Sequence, residues 1–153
     1  MLIPAVFGDR KSFPYLRNNS NEREAKLSPD HRWMAYMSDE SKRSEIYVQT
    51  FPTPGGKRQI SSNGGSFPVW SRDGKELFYI GAGGTIMAID VRSDKSSPAF
   101  EAGMPKPLFD ARIAGAGFHV SNDGHFLIPT QVGQSTSTSP ITVVLNWQAG
   151  LNK

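Results

Sequence analysis

The 153-residue sequence predicts an all-β chain of about three four-stranded antiparallel β-propeller blades. Three observations predict it. One motif recurs, as Ser28-Pro29-Asp30-His31, Ser71-Arg72-Asp73-Gly74 and Ser121-Asn122-Asp123-Gly124, each time followed by an apolar run. Its serines stand 43 and then 50 residues apart, a blade-sized period. Fifteen glycines and eleven prolines crowd the chain with turns, and no window keeps an uninterrupted i, i+3, i+4 apolar stripe over three turns. After the second motif, Leu77 and Tyr79 alternate with Phe78 and Ile80, so both faces of that strand are apolar and both must be covered.

Each element follows from its residues. Residues 1–12 read as a leader or fragment edge, and Phe13–Leu16 as a short strand with proline near its start. Arg17 to Glu24 is a polar loop; its Asn18-Asn19-Ser20 sequon is a chance match without a secretory signal. The first blade spans about residues 25–60. Its strands are Ala25–Ser28, Trp33–Ser38, Glu45–Phe51 and Lys57–Ile60, the last polar enough for an outer edge. The second spans 67–109, with strands Phe67–Ser71, Glu76–Ile80, Thr85–Val91 and Lys106–Phe109, and a long polar connection over Arg92–Gly103. The third spans 117–147, with Gly117–Ser121, Phe126–Thr130 and, after a low-complexity loop, Ile141–Trp147. It lacks a fourth strand, which strand 13–16 would supply to another blade. Three blades are too few for a ring, which usually takes about 4–8. The chain is therefore expected to be a fragment of a six-bladed protein, or to form a homodimer that closes the six-bladed ring.

Asp30, Asp73 and Asp123 recur once per blade and, with Gly74 and Gly124, are expected to be structural turn residues. An aspartate there accepts backbone N–H bonds two residues on, and glycine supplies positive φ. The formal charge is +3, with basic residues only in pairs and acids between them, a surface unsuited to nucleic acid. The absence of cysteine excludes disulfides and thiolate zinc sites, and no His-x-x-x-His pair offers another metal site. No apolar run reaches the roughly 20 residues of a membrane span, and no signal peptide opens the chain, so it reads as soluble, cytoplasmic as written.

Gly64-Gly65-Ser66-Phe67-Pro68 lacks the closing glycine of a nucleophile elbow, and Gly81-Ala82-Gly83-Gly84 lacks the lysine of a phosphate loop. A non-catalytic module is expected, without cofactor or metal, binding a protein, peptide or small ligand at the channel mouth. By position in the inner strands, the ligand- or partner-binding residues are Arg23, Glu24, Ser66, Phe67 and His119. The alternative is the gating propeller of a prolyl-oligopeptidase-like peptidase, or a propeller hydrolase.

Leu27-Ser28-Pro29-Asp30 with Trp33, Ala35 and Tyr36, then Glu45-Ile46-Tyr47-Val48 and Trp70 to Tyr79, resemble the WD40-like repeats of the TolB-type six-bladed propeller. The ending Ile141 to Trp147 followed by Gly150-Leu151 is similar to the C-terminal propeller of bacterial serine/threonine protein kinases. The resemblance covers residues 13–151 and implies half of a six-bladed ring. It also implies a sensory or scaffolding role on the periplasmic side of a membrane-anchored kinase. His31 stands where the family has glycine, and Asn122 where it has proline. No His-Arg-Asp, Asp-Phe-Gly or Gly-rich loop with its strand lysine is present, so the resemblance carries no kinase activity to this chain.

Overall fold

The Ser-x-Asp turn fixes the geometry from which each blade grows. In the computed structural model, which describes residues 14–92, 99–111, 113, 117–130 and 141–144, the three turns share one clamp. The Ser28 hydroxyl donates to Asp30 Oδ1 (2.6 Å) and accepts the Trp33 amide (3.0 Å), while Asp30 Oδ1 also accepts the Arg32 amide (3.2 Å). Ser71 and Asp73 repeat this with the amides of Glu76 (2.9 Å) and Lys75 (3.0 Å). Ser121 donates to Asp123 and accepts the amide of His125, one residue nearer, so the third turn is tighter. The fourth residue of each turn is left-handed: φ is 56° at His31, 70° at Gly74 and 83° at Gly124. The substitution of His31 for glycine therefore leaves the turn type intact and forces an L side chain into a strained region.

Among the described residues the turns join twelve strands into three sheets. β1 (Glu22–Leu27), β2 (Trp33–Ser38), β3 (Glu45–Thr50) and β4 (Arg58–Gln59) form one antiparallel blade in chain order. The second contains β5 (Gly65–Trp70), β6 (Glu76–Gly81), β7 (Thr85–Arg92) and β9 (Lys106–Asp110), with β8 (Glu101–Ala102) paired to the far end of β7. The third contains β10 (His119–Val120), β11 (Phe126–Pro129) and β12 (Ile141–Val144). β1 lies against β5, and β5 against β10, so the first strands of successive blades are neighbours. Antiparallel sheets stacked by their faces, with first strands side by side, are propeller blades. Among the described residues no helix is long and apolar enough to cross a membrane.

Two-sided burial of the middle strands drives the stacking. Leu77 and Tyr79 of β6 enter a core between the first two blades, with Trp33, Ala35, Ile46 and Val48 from one side and Trp70, Ile89 and Val91 from the other. Phe78, Ile86 and Ala88 face the opposite way, into a second core with Phe118, Phe126 and Ile128 of the third blade. Phe78 and Phe126 meet edge to face at 5.1 Å between centroids. The alternation read from the sequence is thus the partition between two interfaces. The Trp70 indole ties them further, donating to the Lys26 carbonyl at 3.0 Å.

A buried carboxylate holds the passage between the first two blades. Glu45, at the start of β3, accepts Arg43 Nε (2.9 Å), the Gly64 amide (2.9 Å) and the Ser61 hydroxyl; Ser61 in turn accepts the Ile46 amide (2.8 Å). Glu45 and Ser61 are fully enclosed, so these partners satisfy groups that water cannot reach.

Several expectations need correction. Pro14–Leu16 forms no strand; Phe13 lies outside the described residues, as do residues 1–12, 131–140 and Trp147. Tyr15 instead covers the outer face of its own first blade. It is buried with Met34, Tyr36 and Tyr47, beside Leu16 and Phe51, and its hydroxyl donates to the Thr50 carbonyl. Proline has no N–H for a ladder, whereas an aromatic ring can shield an apolar sheet face. The first strand begins at Glu22, not Ala25, taking in the end of the expected loop. The segment Arg92–Gly103 is more than a polar connection. Its Phe100 is buried 5.0 Å from Trp33 and 6.3 Å from Trp70, closing the first interface, and Glu101–Ala102 pair with β7.

If His31 carries the strain described, His31→Gly should raise stability by up to about 1 kcal/mol, the left-handed penalty less glycine's entropic cost. Thermal unfolding should show a melting temperature a few degrees higher, and an unchanged or lower value would contradict it.

Candidate functional site

The first strands carry the chain's most distinctive backbone. The ladder between β1 and β2 slips between Arg23 and Lys26, and that between β5 and β6 slips between Ser66 and Val69. Each of these two bulges holds a left-handed residue four positions before the turn serine, Glu24 at φ 57° and Phe67 at 51°, and the equivalent residue before the third turn, Gly117, is left-handed too at 90°. The Glu24 carboxylate accepts the Phe67 amide at 2.6 Å, and the Phe67 ring lies over Gly117, where a Cβ would come within 2.8 Å of it. Glycine is required at 117 by both its φ and this contact. These three positions thus interlock from blade to blade.

The five sequence-predicted binding residues separate into two groups. Arg23, Glu24, Ser66 and Phe67 lie at the bulged end. Arg23 is exposed opposite Met37, and Ser66 pairs with Ile80. Arg23 and Glu24 also border a cleft of about 290 Å³ shared with Tyr15 and Tyr36. Burial pushes the Tyr36 phenol up, with Glu40 and Glu22 adding to the effect.

His119 lies at the other end, toward the turns. It stands two residues before Ser121, the position Lys26 holds before Ser28 and Val69 before Ser71. All three line one groove of about 330 Å³, with Trp70 and Phe118 buried beneath it and His31, Arg72 and Asn122 from the turns at its rim. Strand position in the sequence singles out His119 but not Lys26 or Arg72, which line the same groove. The signal was available: counting back from each turn serine superimposes Lys26 on His119.

The turn aspartates do not compete for this groove. No carboxylate lines it. The Lys75 amide, followed by the Ser71 hydroxyl, holds the Asp73 carboxyl below its usual range despite partial burial. Asp30 is also lowered: burial would raise it, but the Ser28 hydroxyl and Arg32 amide outweigh burial. Asp123 is held down at about 2, first by Ser121 and then by His125, whose Nδ1 lies 2.7 Å from Asp123 Oδ2. All three are engaged within their own turns. Among the described residues no group of three or more His, Asp or Glu side chains is arranged to hold a metal ion.

No protein-family model matches the sequence, and no curated protein matches it. Among solved structures, TolB from Acinetobacter baumannii is similar over 84% of this chain and 42% of its own, at 21% identity and a TM-score of 0.47. Oligogalacturonate lyase from Vibrio parahaemolyticus is similar over 67% of this chain and 27% of its own, at 15% identity and a TM-score of 0.45. The chain thus spans less than half the length of either.

The Asp123 carboxyl gives a direct check on the turn clamp. Its folded value lies below the ordinary value of about 3.9, so its stabilisation is present above pH ~4 and fades as pH falls through about 2. NMR titration of that carboxyl should give a midpoint near 2, moved upward in Ser121→Ala; an ordinary midpoint in the wild-type chain would contradict the clamp.

Proposed function

We propose that this chain is a non-catalytic propeller module that binds its ligand or partner across the first strands of its blades. The observation that supports this is the convergence of Lys26, Val69 and His119, equivalent positions of three blades, on one groove of about 330 Å³. That volume is within the range of small-ligand sites, and the groove combines an apolar floor with a few polar side chains. At the bulged end, Glu24 and Phe67 are engaged with one another, and their interlock rigidifies the strands that shape the groove.

The resemblance of the ending Ile141 to Trp147 with Gly150-Leu151 to kinase-linked propellers favours a sensory or scaffolding role, with the output in another part of a larger assembly. A six-bladed ring made with a second copy, or with further blades of the same protein, would surround the groove on all sides. Tyr15 covers the outer face of the first blade, so a partner blade on that side would have to displace it or pack over it.

The test uses a substitution that fills the groove without entering the core. His119 is exposed on a strand, a position that accepts aromatic residues. The immobilised full chain and its His119→Trp variant are to be compared for what each retains from an extract of the source cells. Retention lost in the variant at unchanged melting temperature is the expected outcome; equal retention by both would overturn the reading.

A further inference from the structure

We infer that the groove at the turn end of the first strands takes an anionic ligand, one carrying carboxylate or phosphate groups. The inference rests on the groove being the binding face and adds the chemistry of what occupies it.

Charge is the first ground. Lys26 and Arg72 contribute two cations to the groove, His31, His119 and Asn122 add polar nitrogen, and no carboxylate lines it. Three basic side chains outside the groove are held by acids: Lys57 lies 2.6 Å from Glu40, Lys106 2.6 Å from Asp90 and Arg43 2.9 Å from Glu45. The Lys26 and Arg72 side chains have no hydrogen-bond or ion-pair partner among the described residues, although carboxylates stand on the adjacent turns.

Those neighbouring acids are the second ground. Asp30 and Asp73 each bind a serine hydroxyl and a backbone amide of their own turn. Asp123 binds Ser121 and His125. These carboxylates stay anionic, but the clamps engage them on their own turns, and none pairs with Lys26 or Arg72.

Shape is the third. Trp70 and Phe118, 9% and 4% exposed, make a rigid apolar floor beneath the cations. A charge beside low-dielectric walls acts more strongly than one on an open surface. A guanidinium presents paired donors matching either carboxylate or phosphate, while lysine supplies a point charge. The groove's size fits a small multiply charged molecule or the acidic end of a larger one.

Calorimetric titration of the full chain at low ionic strength, with citrate in one series and inorganic pyrophosphate in another, tests this. Saturable binding of at least one probe is expected, weakened at least tenfold in the Lys26→Ala/Arg72→Ala double variant and weakened by added salt. The tighter probe identifies the anionic group. Lys26→Arg/Arg72→Lys, which keeps both charges, should retain most of the affinity; both substituted positions are exposed, so circular dichroism should be unchanged. No saturable binding of either probe, or binding indifferent to the double alanine variant, would overturn the inference. If neither probe binds while His119→Trp still abolishes retention from extract, the ligand class is wrong and the binding face stands. If that substitution also has no effect, both fall.

Discussion

A sheet with two apolar faces cannot stand alone in water, and the architecture of this chain follows from that constraint. Each large apolar side chain moved out of water contributes about 1.5–3 kcal/mol. Leu77 and Tyr79 can be buried together with Phe78 only if a blade packs on either side of β6. The middle strands therefore carry the core, and the outer strands are free to be polar, as exposed Arg58 and Gln59 of β4 are. On the first strands Arg23, Lys26 and His119 are exposed.

The turn clamp and the bulges convert this packing into a repeated surface. Serine and aspartate satisfy three turn groups in each of the first two blades, fixing where the first strand ends. The left-handed residue four positions earlier fixes where it is pinned to its neighbour. Between these two points equivalent positions of the blades are presented to the same groove, among them Lys26, Val69 and His119. The repeat that builds the fold therefore also builds the candidate site.

The fold was legible where short-range chemistry determines it. Turn dipeptides and alternation located β2 to the residue and β6 and β7 to within one at either end, because their cross-strand partners are only a hairpin away. Phe100 was not legible, since its burial depends on two tryptophans 67 and 30 residues earlier meeting at one interface. Nor was the place of Tyr15, whose apolar neighbourhood suits a strand equally well. At the site, His119 could be read from its strand. The pairing of Glu24 with Phe67 could not, because neither residue type announces a left-handed bulge.

Hydrogen exchange of individual backbone amides tests the stacking most directly. If both faces of β6 are covered, the amides of Leu77 to Ile80 should exchange only through global unfolding and be among the slowest in the chain, while Arg58 and Gln59 of β4 exchange through local fraying. Exchange in β6 as fast as in β4 would show a blade face open to water, and would contradict the account.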